Sequence, residues 1–354
     1  MIVLYVLLAI VILMIMIMIH ETGHYLAGKI LKFNIEEFSI GMGPKIFSKK
    51  MKSGETFSLR WIPLGGYCAF KGEDEEGVEG EGCFNTFAPW KRLIVLFSGA
   101  FFNFVSGILF TLILLLSVGS GIGRVTSVVA NNGNENLIYK NDIILEVDGV
   151  SPTFLNGGIV GLMANKDVDE DIVLTVNRDG EVKEITVKKY QKYKTDKDGN
   201  VVKDDDGQPI VEGKLIGITS EYVKLNFGEA LLECVPYTFN MAWECLKILG
   251  QLFTGQLGLD SVGGPITTVQ TIATATQTNF KNLVLLFPLL AVNLAVFNLL
   301  PIPALDGARM VFVLIEWIFR KPVPREIEGK IHSVGLMVLF ALVLIIDVLH
   351  LFVF

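Results

Sequence analysis

Histidine and cysteine are scarce in this chain, with 4 of each among 354 residues. The cysteines (Cys68, Cys83, Cys234 and Cys245) show no C-x-x-C spacing. Neither a cysteine-built metal site nor a disulfide framework is expected, and they read as free small hydrophobic side chains. Charge is sparse as well. Asp, Glu, Lys and Arg make up 19%, against about 25% in ordinary soluble domains. The net charge of -7 is spread along the chain, without a basic tract or basic–aromatic interleaving, which excludes a nucleic-acid surface. No Lys or Arg precedes Lys29, and there is no small-x-small cleavage site. The N-terminal apolar run is therefore read as a retained span rather than a secretion signal. Hydrophobic residues, by contrast, reach 51% and the mean hydropathy is positive. That composition predicts several membrane spans around a smaller aqueous part.

The first span is expected from Ile2 to Ala27. Gly28 to Trp90 follows, basic at its start (Lys29, Lys32, Lys45, Lys49, Lys50, Lys52, Arg60). Within it, Phe38–Pro44 and Phe57–Tyr67 are β-rich runs punctuated by glycine, which predicts short hairpins. They are apolar for a loop and are expected to dip into the membrane with their backbone paired. Gly72–Gly82 is acidic and glycine-rich, a solvated loop without the spacing of a calcium site. The second span, Leu93–Val118, opens after Trp90-Lys91-Arg92, read as an interfacial anchor. Its stripe of Ser98, Gly99, Ala100, Asn103, Ser106 and Gly107 predicts close helix contact, with Asn103 making an interhelical hydrogen bond.

From Gly123 to Tyr190 the pattern turns to short strands with D-G turns, a small β domain of the kind that accepts an extended peptide as an added strand. Lys192–Gly213 is a charged insert, read as a solvated hairpin, with calcium binding the weaker alternative. Phe227–Phe253 carries Glu229, Glu233, Asn240, Glu244, Lys247 and Gln251 on one face and Leu231, Val235, Phe239, Trp243 and Leu246 on another. This predicts an amphipathic helix on the bilayer or against the bundle. Ser261–Ile266 reads as a turn. The third span is Leu283–Leu300, broken by Pro301 and Pro303. A short helix, Ala308–Phe319, and a fourth span, Gly335–Val353, complete the chain.

Chemistry enters at His20-Glu21-Thr22-Gly23-His24. On a helix the two histidines share one face and can hold one zinc ion, with Glu21 placed to take a proton from its water. A chance meeting of two histidines and a glutamate is the plain alternative, but ionisable groups inside a span are costly and usually functional. At about 1.5 Å per residue, His20 lies about 27 Å along the helix from Ile2, near the far face of a core about 30 Å thick. The basic loops Gly28–Arg92 and Arg320–Lys330 are placed in the cytoplasm by the positive-inside rule, which puts the β domain outside. A catalytic zinc wants a third protein ligand. His332 is read in a polar linker and His350 at the outer end of the fourth span. Glu316 can pair with Arg320, and Asp347 lies near the outer end. Asp306 shares depth and side with the histidines and is favoured, with a helix N-cap as its other reading.

With these pieces in place the chain resembles the site-2 protease family of zinc intramembrane metalloproteases, in its bacterial RseP-like branch with one PDZ domain. The likeness rests on His20–His24, Ile40–Pro44, Ile62–Tyr67, Gly99–Asn103, Gly263-Gly264-Pro265-Ile266 and Asn298–Gly307, in order across nearly the whole chain. It implies a polytopic α-helical membrane protein of about four transmembrane helices with a membrane-associated β-hairpin loop and an inserted β-rich PDZ domain. The expected boundaries are 1–118 and 226–354 for the membrane halves and 119–225 for the PDZ domain. The resemblance also implies Zn2+ held by His20, His24 and Asp306, and Glu21 as general base. It implies substrate contacts at Leu64, Gly65, Gly66, Tyr67 and Asn298. The expected setting is the bacterial cytoplasmic membrane, with lipid and single-span transmembrane proteins as partners and a peptide at the PDZ domain. The sequence does not choose between anti-sigma factors and remnant signal peptides as substrates. Ala100, Ala308 and Asn141 depart from the family's usual proline, glycine and glycine. A PDZ scaffold with a dead metal site is opposed by the intact motif. A zinc transporter is opposed by the lack of polar residues in the second and fourth spans.

Overall fold

Unbroken apolar sequence folds as long helices here, and glycine-punctuated sequence as strands. The computed structural model describes residues 2–73, 80–129, 133–154, 156–168, 170–194, 201–204, 208–258, 263–278 and 280–352. In chain order the elements are α1 (Ile2–Ile30), β1 (Ile35–Lys50), β2 (Thr56–Phe70), α2 (Pro89–Ser117), β3 (Gly123–Val128), β4 (Ile143–Val147), α3 (Gly158–Met163), β5 (Ile172–Arg178), β6 (Glu181–Val187), β7 (Tyr190–Tyr193), β8 (Val211–Leu215), β9 (Ile218–Tyr222), α4 (Phe227–Phe253), α5 (Pro265–Thr278), α6 (Phe280–Leu299), α7 (Asp306–Phe319) and α8 (Arg325–Phe352). They form two compact units, Met1–Leu112 with Glu233–Phe354, and Ile113–Leu232.

Among the described residues of the chain, four helical stretches are long and apolar enough to cross a membrane. They are Val3–Ile30, Pro89–Ser117, Asn282–Leu299 and Glu326–His350. With the β-sheets, this is the architecture of a polytopic membrane protein. Ala9, Ile12, Met16, Ile272, Leu283 and Ala291 make one buried cluster joining α1, α5 and α6. Phe33, Ile35, Phe70, Phe84, Val95, Leu96 and Val313 make another, where α2, α7 and the β-hairpin meet.

The short hairpins expected between the first two spans are one long hairpin that curls on itself. Glu37 is aligned with both Ala69 and Thr56, Ser39 with both Tyr67 and Ser58, and Ile40 with both Gly66 and Leu59. The first half of β1 is thus flanked on both sides by β2. Bends at Gly41 and Gly43, with φ of 82° and 81°, make the curl; these left-handed angles are open to glycine at little cost. A polar knot locks it. Arg60 donates to Glu37 (2.9 Å), to the Tyr67 hydroxyl (2.5 Å), to Ser39 (3.0 Å) and to the Gly43 carbonyl (2.5 Å). Burial alone would raise the Glu37 carboxyl, but hydrogen bonds from Ser58, Arg60 and Lys45 outweigh it and bring it down to about 2. The acidic run read as a solvated loop falls largely at 74–79, outside the described residues.

Three further features depart from the sequence reading. Residues after Pro265 form α5, a helix hidden by its threonine-rich composition, which has low intrinsic helix propensity. Its missing cap comes from another helix. Asp347 of α8 accepts the Ile266 and Thr267 amides, each at 3.1 Å, and the Thr267 hydroxyl at 2.8 Å. The second departure is Glu316, which pairs with buried Arg92 of α2 rather than with Arg320. Arg92 is therefore a helix–helix tie and not an interfacial anchor. Third, His332 lies inside α8 rather than in a linker.

α4 shows three faces. Ala230, Cys234, Thr238 and Met241 are buried, Leu231, Phe239 and Trp243 are exposed apolar side chains, and Glu229, Glu233 and Lys247 are exposed and charged. In the second unit, β6-β5-β4-β3-β9 form one antiparallel sheet over a core that includes Val125, Ile144, Ile172, Leu174 and Val176. Asp148-Gly149 and Asp179-Gly180 take positive φ at both positions, the turn expected of these pairs. Asn141 also has positive φ, at 75°. β7 and β8 form the stem of the charged insert, whose residues 195–200 and 205–207 lie outside the described residues.

Candidate metal centre

His20 and His24 lie one turn apart on α1, and both are buried. Their Nε2 atoms are 3.1 Å from each other. Asp306 Oδ2 lies 2.9 Å from His20 Nε2 and 3.3 Å from His24 Nε2. Among the described residues these three form the one group of His, Cys, Asp or Glu side chains whose ligand atoms converge in this way. Zinc–ligand bonds of about 2.0–2.1 Å in a tetrahedron put ligand atoms roughly 3.3 Å apart. The observed spacings sit at or just inside that value. Asp306 Oδ2 is buried without a hydrogen-bond donor, a costly state that a cation relieves. The donor set and its geometry fit a zinc ion.

Local structure explains how Asp306 arrives there. Pro301 and Pro303 stop α6, and Ala304 takes a φ of 79°. The Ala304 amide donates to His332 Nδ1 of α8 at 3.0 Å, which fixes the turn. Leu305 occupies the N-cap position of α7 and Asp306 is its first residue. The N-cap reading of Asp306 is thereby set aside, since its carboxylate faces the histidines. Gly307 is needed behind it, because a Cβ there would stand 2.2 Å from the Leu300 carbonyl oxygen.

α2 supplies the wall behind the histidines. A Cβ on Gly99 would stand 2.3 Å from His24 Nε2 and 2.7 Å from His20 Cε1. Gly99→Ala is expected to push the imidazoles off the shared point and weaken zinc binding about tenfold, in line with the roughly 1–3 kcal/mol of typical overpacking. Titrating purified variant and parent against a zinc-competing dye checks this, and equal affinities would refute it. His24 Nδ1 lies 2.8 Å from the Val95 carbonyl, which accepts its proton and leaves Nε2 for the metal. His20 Nδ1 faces the amides of Asn103 at 3.3 Å and Asn298 at 3.4 Å.

Glu21 stands beside the three converging groups without joining them. Cys68 of β2 lies close to its carboxylate. Gly66 comes close as well, since a Cβ there would lie 3.2 Å from Met18 Sδ and 3.5 Å from Glu21 Cγ. Of the other residues read as substrate contacts, Gly65 is the bend of β2 with φ 110°. Leu64 lies on the same strand. Tyr67 has its hydroxyl held by Arg60. An apolar recess of about 420 Å³ runs along α1 beside the motif, lined by Met14, Ile15, Met18, Ile19, Thr22, Ile40 and Phe102. The role of the Val95 carbonyl had no signal in the sequence, because any residue type supplies it. That of Gly99 had one, in the small-residue stripe of α2.

Comparison with known proteins gives concordant matches. The sequence model of the family described as Peptidase family M50 matches residues 8–342. A candidate zinc metalloprotease of Fusobacterium nucleatum is 33% identical over 352 residues, covering 97% of each chain. One of Clostridium perfringens is 31% identical over 341 residues, covering 94% of each. A candidate protease of Enterococcus faecalis, Eep, is 27% identical over 418 aligned positions, covering 93% of this chain and 95% of its own.

Proposed function

Because the chain belongs to peptidase family M50, we propose that this metalloprotease is a zinc-dependent intramembrane endopeptidase that cuts the transmembrane segments of single-span proteins. The observation that carries the reading is the convergence of Asp306 with His20 and His24, which lie on a helix apolar enough to span a bilayer. Bound zinc supplies Lewis-acid polarisation of the scissile carbonyl and a water acidified to about pKa 7. Glu21 takes the proton of the attacking water and delivers it to the leaving nitrogen.

A transmembrane helix hides its peptide bonds in its own hydrogen bonds, so it must unwind to be cut. The outer edge of β2 offers replacements. Strand-edge amides and carbonyls can pair with an added strand, and Cys68 on β2 lies near Glu21. Gly66, two residues earlier, presents its backbone beside the general base. Arg60 holds Tyr67 in place, and Asn298 is positioned to grip the unwound segment. The apolar recess lined by Met14, Met18 and Phe102 takes a substrate side chain and keeps water out. The basic loops face the cytoplasm of a bacterial cell, and the β unit lies outside as a PDZ-type domain. There it admits a peptide at a sheet edge and screens out bulky substrates. Anti-sigma factors and remnant signal peptides both have the required form.

The test uses full-length protein in vesicles with a single-span reporter. Chelation of zinc is expected to abolish cleavage, and stoichiometric zinc to restore it. Cleavage that survives complete removal of zinc refutes the metal reading. A cut mapped outside the reporter's apolar segment refutes the intramembrane one.

A further inference from the structure

The two histidines are held differently on the side away from Asp306. His24 Nδ1 meets the Val95 carbonyl, a pure acceptor, so its proton is on Nδ1 and its lone pair on Nε2. His20 Nδ1 instead meets two amide nitrogens, Asn103 Nδ2 and Asn298 Nδ2. Amide nitrogens donate. If both donate, the lone pair of His20 sits on Nδ1 and its proton on Nε2, aimed at His24 and Asp306. A ligand histidine needs the reverse, with the far nitrogen donating to an acceptor. The missing acceptor is at hand. Asn103 Oδ1 is buried without a hydrogen-bond partner, on a residue with 0% exposure. Amide oxygen and nitrogen fill nearly the same space, and a half-turn of the Asn103 amide exchanges them. That turn gives Oδ1 its donor and frees Nε2 of His20 for the metal.

We propose that Asn103 is a positioning residue of the metal centre, its Oδ1 accepting the Nδ1–H of His20 to fix Nε2 as the ligand atom. Nδ1–H has one proton and takes one close acceptor. Asn103 lies wholly inside, on α2, where an unpaired oxygen has no water to turn to. Asn298 lies half-buried in the last turn of α6 and leaves its amide to the substrate. The inference rests on the zinc reading of the preceding section and assigns the two asparagines separate tasks within it.

Zinc affinity of the full-length protein, measured by competition with a chromophoric chelator, separates the possibilities. Asn103→Leu keeps the volume and removes the acceptor, and is expected to weaken zinc about 10–100-fold, the usual effect of losing an orienting partner. Asn103→Asp keeps an acceptor in the same place and is expected to return affinity to within about threefold of the parent. The ligand-field spectrum of the cobalt-loaded protein should shift in the leucine variant and recover in the aspartate one, which a mere packing defect would not produce. If the leucine variant does not fold, Asn103→Ser, too short to reach His20, replaces it. Asn298→Leu is expected to raise KM while leaving zinc affinity unchanged. The proposal is overturned if Asn103→Asp binds zinc as weakly as Asn103→Leu, if Asn103→Leu binds like the parent, or if Asn298→Leu is the variant that loses zinc. A parent protein that binds no zinc overturns the metal reading itself, which is a distinct result.

Discussion

Replacing Asp306 by alanine is expected to take zinc from one per chain to trace occupancy, and cleavage with it. The carboxylate is the sole anionic member of the group formed with His20 and His24. Its loss removes a direct ligand together with the charge that balances a buried cation. Breaking one partner of a buried charge pair costs about 3–5 kcal/mol. Affinity should therefore fall by a factor of about 10²–10⁴, using about 1.4 kcal/mol per tenfold change. Metal analysis of the purified variant, with chelator competition, reads this directly. Retention of one zinc per chain would remove Asp306 from the ligand set. Asp306→Asn serves as the shape control. It keeps the side chain at the start of α7, where the Ala304–His332 hydrogen bond holds the turn. Loss of zinc in both variants points to the charge rather than to a collapsed turn.

The parts of this centre differ in how they are written in the sequence. Four-residue spacing is enough to put His20 and His24 on one face of α1. The double proline after Leu300 is enough to mark where a helix ends and a new one begins, and so where Asp306 stands. The four spans are visible because an apolar run of 18 or more residues has few other fates. α5 was not visible, because its stability comes from Ile272 packed in the core and from the Asp347 carboxylate 80 or more positions away, neither of which leaves a local pattern. The curl of the β-hairpin was hidden for a related reason. Alternation predicts strands, but the double alignment of Glu37, Ser39 and Ile40 depends on two left-handed glycines and on Arg60 reaching back to Glu37. Arg92 carried a misleading local cue. Beside Trp90 and Lys91 it resembles an interfacial anchor, and its partner Glu316 lies 224 positions on. Long-range pairing of this kind is decided by packing, which the neighbourhood of a residue in sequence does not contain.

Glu21→Gln is expected to leave zinc at one per chain and to lower the cleavage rate about 10²–10⁴-fold, the range that positioned proton transfer contributes. The two effects separate because Glu21 lies beside the three converging side chains and is not one of them. Glutamine keeps the length and shape of the side chain, so its packing beside Gly66 of β2 survives. What it loses is the ability to take a proton. KM for a single-span reporter should change little, since the Gly66 edge and Asn298 are untouched. Single-turnover rates in vesicles, beside a zinc assay on the same preparation, test the claim. Undiminished cleavage by a zinc-replete variant would exclude Glu21 as the base. Loss of zinc would instead make it part of the metal site. Because substrate still binds and is not cut, the same variant should retain intact single-span proteins in its native membrane. Identifying those proteins by mass spectrometry would decide between anti-sigma factors and remnant signal peptides.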